Sequence, residues 1–142
     1  MPPARADVCV VDTHAWLFAA TGAHDRLGRR ARRVLERATT AYVPAISLWE
    51  VAMLAERGRI SLDRPLADWL AIASSGAPFA IHPLTPGIAA RAVAVGTAGF
   101  PPDPADRLIY ATAGELDVPL LSADRRIGAF DRSRRDRRVV WN

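Results

Sequence analysis

Apolar positions along the chain fall into short continuous runs that alternate with stripes of helical period. The run Val8-Cys9-Val10-Val11, rich in β-branched residues and ended by Asp12, predicts a strand buried on both faces. A helix should follow over 13–20. Residues 28–38 place Ala31, Val34, Leu35 and Ala38 on one helical stripe and arginines on the other. Tyr42-Val43 predicts a short strand, and 46–57 a helix capped by Ser47 and stopped by Gly58. A helix over 65–74 carries Leu66, Trp69, Leu70 and Ala73 on one side. A strand over 79–84 and a helix over 85–96, with Pro86 in its first turn, come next. After a loop at 99–102, Asp103-Pro104 opens a helix to about Leu116 with Leu108, Ile109, Thr112 and Ala113 facing inward. The pattern closes with a strand over 118–121, a short helix over 124–130 and a strand over 138–141.

Strands alternating with helices, joined by connections too long for hairpins, predict a three-layer α/β/α sandwich with a mainly parallel central sheet. The length of 142 residues suits one domain spanning 1–142, with no internal repeat or linker. Sheets of this kind hold their sites in a crevice beyond the carboxyl ends of the strands.

Composition narrows the chemistry. All 19 basic residues are Arg, which excludes a P-loop, whose phosphate-binding Lys is required, and also Schiff-base chemistry. The single Cys9 excludes internal disulfides and multi-Cys zinc sites, and reads as a small buried hydrophobe. His14, His24 and His82 are too scattered for a metalloprotease helix, and there is no GxSxG elbow. No apolar run approaches the roughly 20 residues that span a bilayer, and no secretory leader is visible, so no membrane association and a cytoplasmic location are expected.

The net charge of +4 hides an uneven distribution. Residues 26–37 carry six Arg against Glu36, and residues 125–142 carry seven Arg against Asp131 and Asp136. The rest of the chain is acidic. Two basic patches on an acidic body suit a polyanionic partner, although surface arginines also serve solubility.

Four acids stand out on the acidic part. Asp12 ends the first strand, Glu50 interrupts the apolar run of 46–54, Asp106 lies in the first turn opened by DPADR, and Asp124 follows the strand ending in Leu121. Each has an ordinary alternative: Ser47-x-x-Glu50 is a capping box, Asp103-Pro-Ala-Asp106 resembles one, and Asp12 and Asp124 suit turns at strand ends. What favours chemistry is coincidence, since the predicted topology brings all four to one sheet edge. Acids so gathered repel each other unless a hard divalent cation such as Mg²⁺ or Mn²⁺ sits among them. One or two such ions would activate a water for attack on a phosphodiester, with Arg107, Arg125 and Arg126 as the nearest phosphate contacts in sequence. Surface ion pairs are the alternative role for these arginines. A haloacid-dehalogenase-like phosphohydrolase would need a second Asp two residues after Asp12, where His14 stands.

The segments VVDTHAWLF (10–18), ISLWEVAMLAERGRI (46–60), LTPGIA (84–89), DPADRLIYATA (103–113), LLSADRRI (120–127) and VVW (139–141) resemble PIN-domain nucleases, in particular the VapC-type toxins of bacterial toxin–antitoxin pairs. The resemblance runs in order along nearly the whole chain. It implies a metal-dependent endoribonuclease acting on RNA, a homodimer, and neutralisation by a cognate VapB-like antitoxin. The family's acidic quartet falls on Asp12, Glu50, Asp106 and Asp124, as catalytic residues and ligands of Mg²⁺ or Mn²⁺. Thr13 or Ser122 would be the polar residues beside them, and Asp103 a fifth acid or a helix cap. One departure is the Phe100-Pro101-Pro102 lead-in, where relatives often carry a His. The competing reading is a non-catalytic nucleic-acid- or partner-binding module working through its arginine patches.

Overall fold

A computed structural model describes residues 7–142; of the expected domain span 1–142, positions 1–6 lie outside the described residues. Five strands form one sheet: β1 (Val8–Val11), β2 (Thr40–Pro44), β3 (Phe79–His82), β4 (Leu120–Leu121) and β5 (Val139–Val140). Their order is β3-β2-β1-β4-β5, and every neighbouring pair is parallel. The helices are α1 (Thr13–Ala20), α2 (Arg29–Arg37), α3 (Ala45–Glu56), α4 (Leu66–Ala73), α5 (Pro86–Thr97), α6 (Pro104–Leu116) and α7 (Arg125–Arg132).

The chain starts in the middle of the sheet, winds outward through β2 and β3, then crosses back to lay β4 and β5 on the other side of β1. The connections put α1, α2 and α4 on one face and α6 and α7 on the other. The packing follows. Cys9 and Val11 point into a core shared with α1, α2 and α4, including the buried Trp16 and Trp69. Val10, between them, points into the opposite core with Ile109, Tyr110, Ala113 and Ile127. Alternate residues of one apolar run thus serve two cores, and the expected three-layer sandwich is what forms.

Several boundaries move for physical reasons. The 118–121 strand shrinks because Val118 N–H bonds back to Ala113 in the turn that ends α6, around a left-handed Asp117 (φ 56°). The last strand spans only Val139–Val140, and the N–H groups of Arg138 and Val139 both go to the Asp131 carboxylate. Ser47 does not cap α3. Pro44 occupies the cap position without a side-chain bond, and Ser47 lies buried within the helix. Gly58 does end that helix, with φ +68°. Trp49, inside the apolar run of 46–54, is 57% exposed. A single 3-10 turn at His24–Arg26 has no counterpart in the apolar pattern.

Candidate active site

The order of strands reverses between β1 and β4, the switch point at whose carboxyl ends sheets of this kind place their sites. Asp12 and Asp124 follow these two strands at that edge. Asp12 N–H bonds Leu121 O across the pair, while its side chain accepts from Ala15 N at 2.8 Å and so caps α1. Asp124 caps α7 by accepting from Arg126 N at 2.8 Å and Ile127 N at 3.1 Å. Ser122, almost wholly buried, lies between them: its hydroxyl bonds the Asp12 carboxylate and accepts from Asp124 N.

Glu50 reaches the same edge from the second turn of α3. Its carboxylate accepts from Thr13 Oγ1 at 2.5 Å, and Thr13 Oγ1 is also 2.9 Å from Ser47 Oγ. A hydroxyl has one proton to give, so with Glu50 as acceptor Ser47 must be the donor to Thr13. The SxxE pattern that looked like a capping box is therefore two thirds of a side-chain relay between α1 and α3. Asp103 is the cap of α6, accepting from Asp106 N at 3.0 Å.

Asp106, in the first turn of α6, is different. Among the described residues no hydrogen-bond donor and no cation reaches its carboxylate. Burial, together with the charges of Asp103, Asp124, Glu50 and Asp12, pushes its pKa up to about 7. Burial likewise raises Asp12, against its bonds to Ser122 and Ala15 and the nearby His14, and Asp124 raises it further. Burial raises Glu50 too, opposed by the Thr13 bond, with Asp103 and Asp12 adding repulsion. The four acids therefore share one electrostatic neighbourhood.

A metal fits this neighbourhood chemically. The donors are hard carboxylate oxygens, and the mutual repulsion that lifts their pKa values is what a divalent cation removes. Among the described residues, however, no three His, Cys, Asp or Glu side chains are drawn together closely enough to hold an ion as they stand. Asp12 and Asp124 are turned to their helix caps.

The arginines divide. Arg107 Nε and Nη2 donate to the carbonyls of Pro101 (2.9 Å) and Phe100 (3.3 Å). Its guanidinium pins the lead-in loop and, among the described residues, is in no surface ion pair, while Nη1 keeps its donors free. Arg125 stays exposed beside Asp124, on the wall of a groove of about 820 Å³. His14 is exposed near Asp12 and Glu50, and Cys9 is fully buried with its thiol pushed up to about 12 by desolvation. Sequence reasoning missed Asp131. It is 2% exposed and accepts from Tyr110 Oη (2.8 Å), Arg138 N (3.0 Å) and Val139 N (2.9 Å), so it ties α7 to α6 and β5. Its position inside an Arg-rich stretch disguised it as a counter-charge.

A doubly wound parallel sheet with acids gathered at its switch point defines the class. The chain belongs to the PIN-domain family, whose model matches residues 9–133. It is similar to Ribonuclease VapC22 of Mycobacterium tuberculosis, 44% identical over 122 residues, covering 82% of this chain and 85% of that protein. Two solved structures share the fold. One is a toxin-antitoxin complex from Klebsiella pneumoniae (TM-score 0.63, 22% identity, 93% of this chain and 95% of that chain). The other is VapBC2 from Rickettsia felis bound to a DNA fragment from their promoter (TM-score 0.63, 13% identity, 95% and 99%).

Proposed function

We propose that this protein is a ribonuclease toxin of the VapC type, a divalent-metal-dependent endoribonuclease that cleaves RNA phosphodiester bonds. The observation that carries this reading is Asp106: a half-buried carboxylate with no donor, surrounded by four other acids. A structural acid would have a partner, whereas a ligand or base awaiting its reactants need not. Similarity to a named ribonuclease over four-fifths of the chain supports the substrate class.

Asp12 and Asp106 would be the principal ligands of Mg²⁺ or Mn²⁺, with Glu50 and Asp124 completing the set directly or through water. When bound, one or two such ions supply a water of lowered pKa and neutralise phosphate charge. The chain's own residues set the stage. Thr13, held by Ser47, fixes the rotamer of Glu50. Ser122 fixes Asp12 and, through its bond to Asp124 N–H, the start of α7. The N-termini of α1 and α7 present their N–H groups to Asp12 and Asp124 at the edge where a phosphate arrives. Arg125 stands beside Asp124 as a bidentate phosphate contact.

The reading extends to partners. A VapB-like antitoxin is expected, because the structural neighbours are toxin–antitoxin assemblies. A homodimer is supported by the exposed apolar side chains of Trp49 and Leu84, which line a pocket of about 250 Å³. A single domain spanning the whole chain and a cytoplasmic site of action belong to the same proposal; among the described residues no helix is long and apolar enough to cross a membrane.

The test is cleavage of a labelled RNA by wild type and Asp106→Asn, each with Mn²⁺ and with EDTA. Cleavage by wild type with Mn²⁺ alone is the expected pattern. Equal cleavage in all four reactions, or in none, removes the proposal.

A further inference from the structure

The two arginine patches are far apart in sequence but form one surface. Gly28, the residue before α2, packs so closely on Trp141 that a Cβ there would lie 2.0 Å from the Trp141 carbonyl oxygen. That carbonyl accepts from Ala31 N at 2.9 Å, in the first turn of α2. The C-terminal residues are thereby fastened to α2, and the first patch is carried up against the second.

Between them runs the groove of about 820 Å³ that Arg125 borders, over the edge strand β5. Arg30 enters it from α2, Arg125 and Arg132 from α7, and Arg137 from the segment before β5. Along α7 the positions Arg125, Gly128 and Arg132 share one helical face. Gly128 leaves room for Arg132, whose Nη1 would lie 3.3 Å from a Cβ at that position. Among the described residues none of the four guanidiniums is in an ion pair, unlike Arg32, Arg91 and Arg138. Ser122 and Asp124, at the edge of the candidate active site, also line the groove.

The geometry points to this groove as the track that holds the sugar–phosphate backbone of single-stranded RNA on its way to the acidic site. The assignment rests on the ribonuclease reading of the site. Four unpaired, planar donors on a concave surface match a succession of phosphates, and they say nothing about bases. An acidic protein segment is the competing occupant. Continuity with the candidate site favours RNA: Asp124 lines both, so a strand lying here reaches the acids.

The experiment measures binding of a short fluorescein-labelled single-stranded RNA by anisotropy, in EDTA so that nothing is cut. The chains are wild type, Arg30→Ala/Arg132→Ala/Arg137→Ala, the corresponding triple Lys variant, and Asp106→Asn. The triple Ala variant should bind about tenfold or more weakly. Its plot of log K against log salt should flatten by about 2, near 0.7 for each phosphate no longer neutralised. The Lys variant should recover most of the salt slope, and Asp106→Asn should bind at least as well as wild type. Affinity and slope unchanged in the triple Ala variant would overturn the proposal. So would unchanged RNA affinity with abolished binding of a poly-glutamate peptide, which would give the groove to a protein. Cleavage assays with Mn²⁺ separate the two readings. Groove-dependent binding without cleavage by wild type removes the nuclease and keeps the track; cleavage with an indifferent groove does the reverse.

Discussion

Thr13 Oγ1 lies 2.5 Å from Glu50 Oε1, joining the first residue of α1 to the second turn of α3 across 37 positions of sequence. The hydroxyl is almost fully buried, and Ser47 behind it is fully so. A hydrogen bond to a charged group is worth about 1.5–3 kcal/mol. Thr13→Val keeps the shape and removes the bond, leaving Glu50 free to rotate. Steady-state kinetics on a labelled RNA should show kcat reduced about tenfold with KM changed little, and Thr13→Ser should restore most of it. A kcat for Thr13→Val within twofold of wild type would mean that Glu50 needs no positioning.

Asp106 couples the site to stability. Its pKa rises from 3.8 to about 7 in the folded chain, chiefly by burial and then by its acidic neighbours. Between these values the folded protein keeps a proton that the unfolded chain has given up. Metal-free stability should therefore fall as pH rises from about 4 through 7. Asn resembles the protonated acid, so Asp106→Asn in EDTA should melt a few degrees above wild type at pH 8 and level with it near pH 4. Partial exposure of the side chain limits the size of the effect. Adding Mn²⁺ at pH 8 should raise wild type and leave the variant nearly unmoved. Wild type melting above the variant in EDTA at pH 8 would contradict the proposed repulsion.

The residues of these two predictions were not equally legible in the sequence. Asp12, Glu50, Asp106 and Asp124 could be picked out because they end or interrupt apolar runs or stand at helix starts beside them, and the parallel topology then sends all four to one edge. The doubly wound sheet was legible for the same reason, since strands buried on both faces read as continuous apolar segments. The Thr13–Ser47–Glu50 relay was not, because SxxE has a local meaning and the relay depends on how two helices pack. The bonds from Arg107 to the Phe100 and Pro101 carbonyls were hidden for a similar reason, since they depend on how the 100–101 loop lies against α6. The single groove was hidden because nothing local tells Gly28 that Trp141 will lie on it.

Asp131 should behave as a structural anchor. Its carboxylate gathers the Tyr110 hydroxyl and two backbone N–H groups, with almost no solvent access. Asp131→Ala leaves all three donors unpaired, and urea unfolding should show a loss of roughly 3 kcal/mol or more. Tyr110→Phe removes one of the three and should lose about 1 kcal/mol. Because Asp131 also holds Arg138 and Val139 at the start of β5, hydrogen exchange in Asp131→Ala should speed first at Leu120 and Ser122, whose N–H groups pair with Arg138 and Val140. A loss below 1 kcal/mol for Asp131→Ala would show that water replaces the network at little cost.

Two glycines make opposite predictions from similar distances. At Gly28 a Cβ would meet the Trp141 backbone, 2.0 Å from its oxygen and 2.5 Å from its carbonyl carbon. At Gly96, inside α5, a Cβ would meet the Arg107 guanidinium, 2.6 Å from Nη1. Backbone held by the Ala31–Trp141 bond cannot step aside without breaking it, whereas the end of an arginine can. Overpacking of the first kind costs about 1–3 kcal/mol. At Gly96 the helix preference for Ala, up to about 1 kcal/mol, offsets the displacement of a flexible side chain. Thermal melts should therefore show Gly28→Ala clearly lowered and Gly96→Ala near wild type. Gly28→Ala should also weaken RNA binding although it removes no charge, because it separates Arg30 from the arginines of α7 and the C-terminal segment. Wild-type RNA affinity in a folded Gly28→Ala protein would mean that the two patches bind independently, and that their meeting at Trp141 is a matter of packing alone.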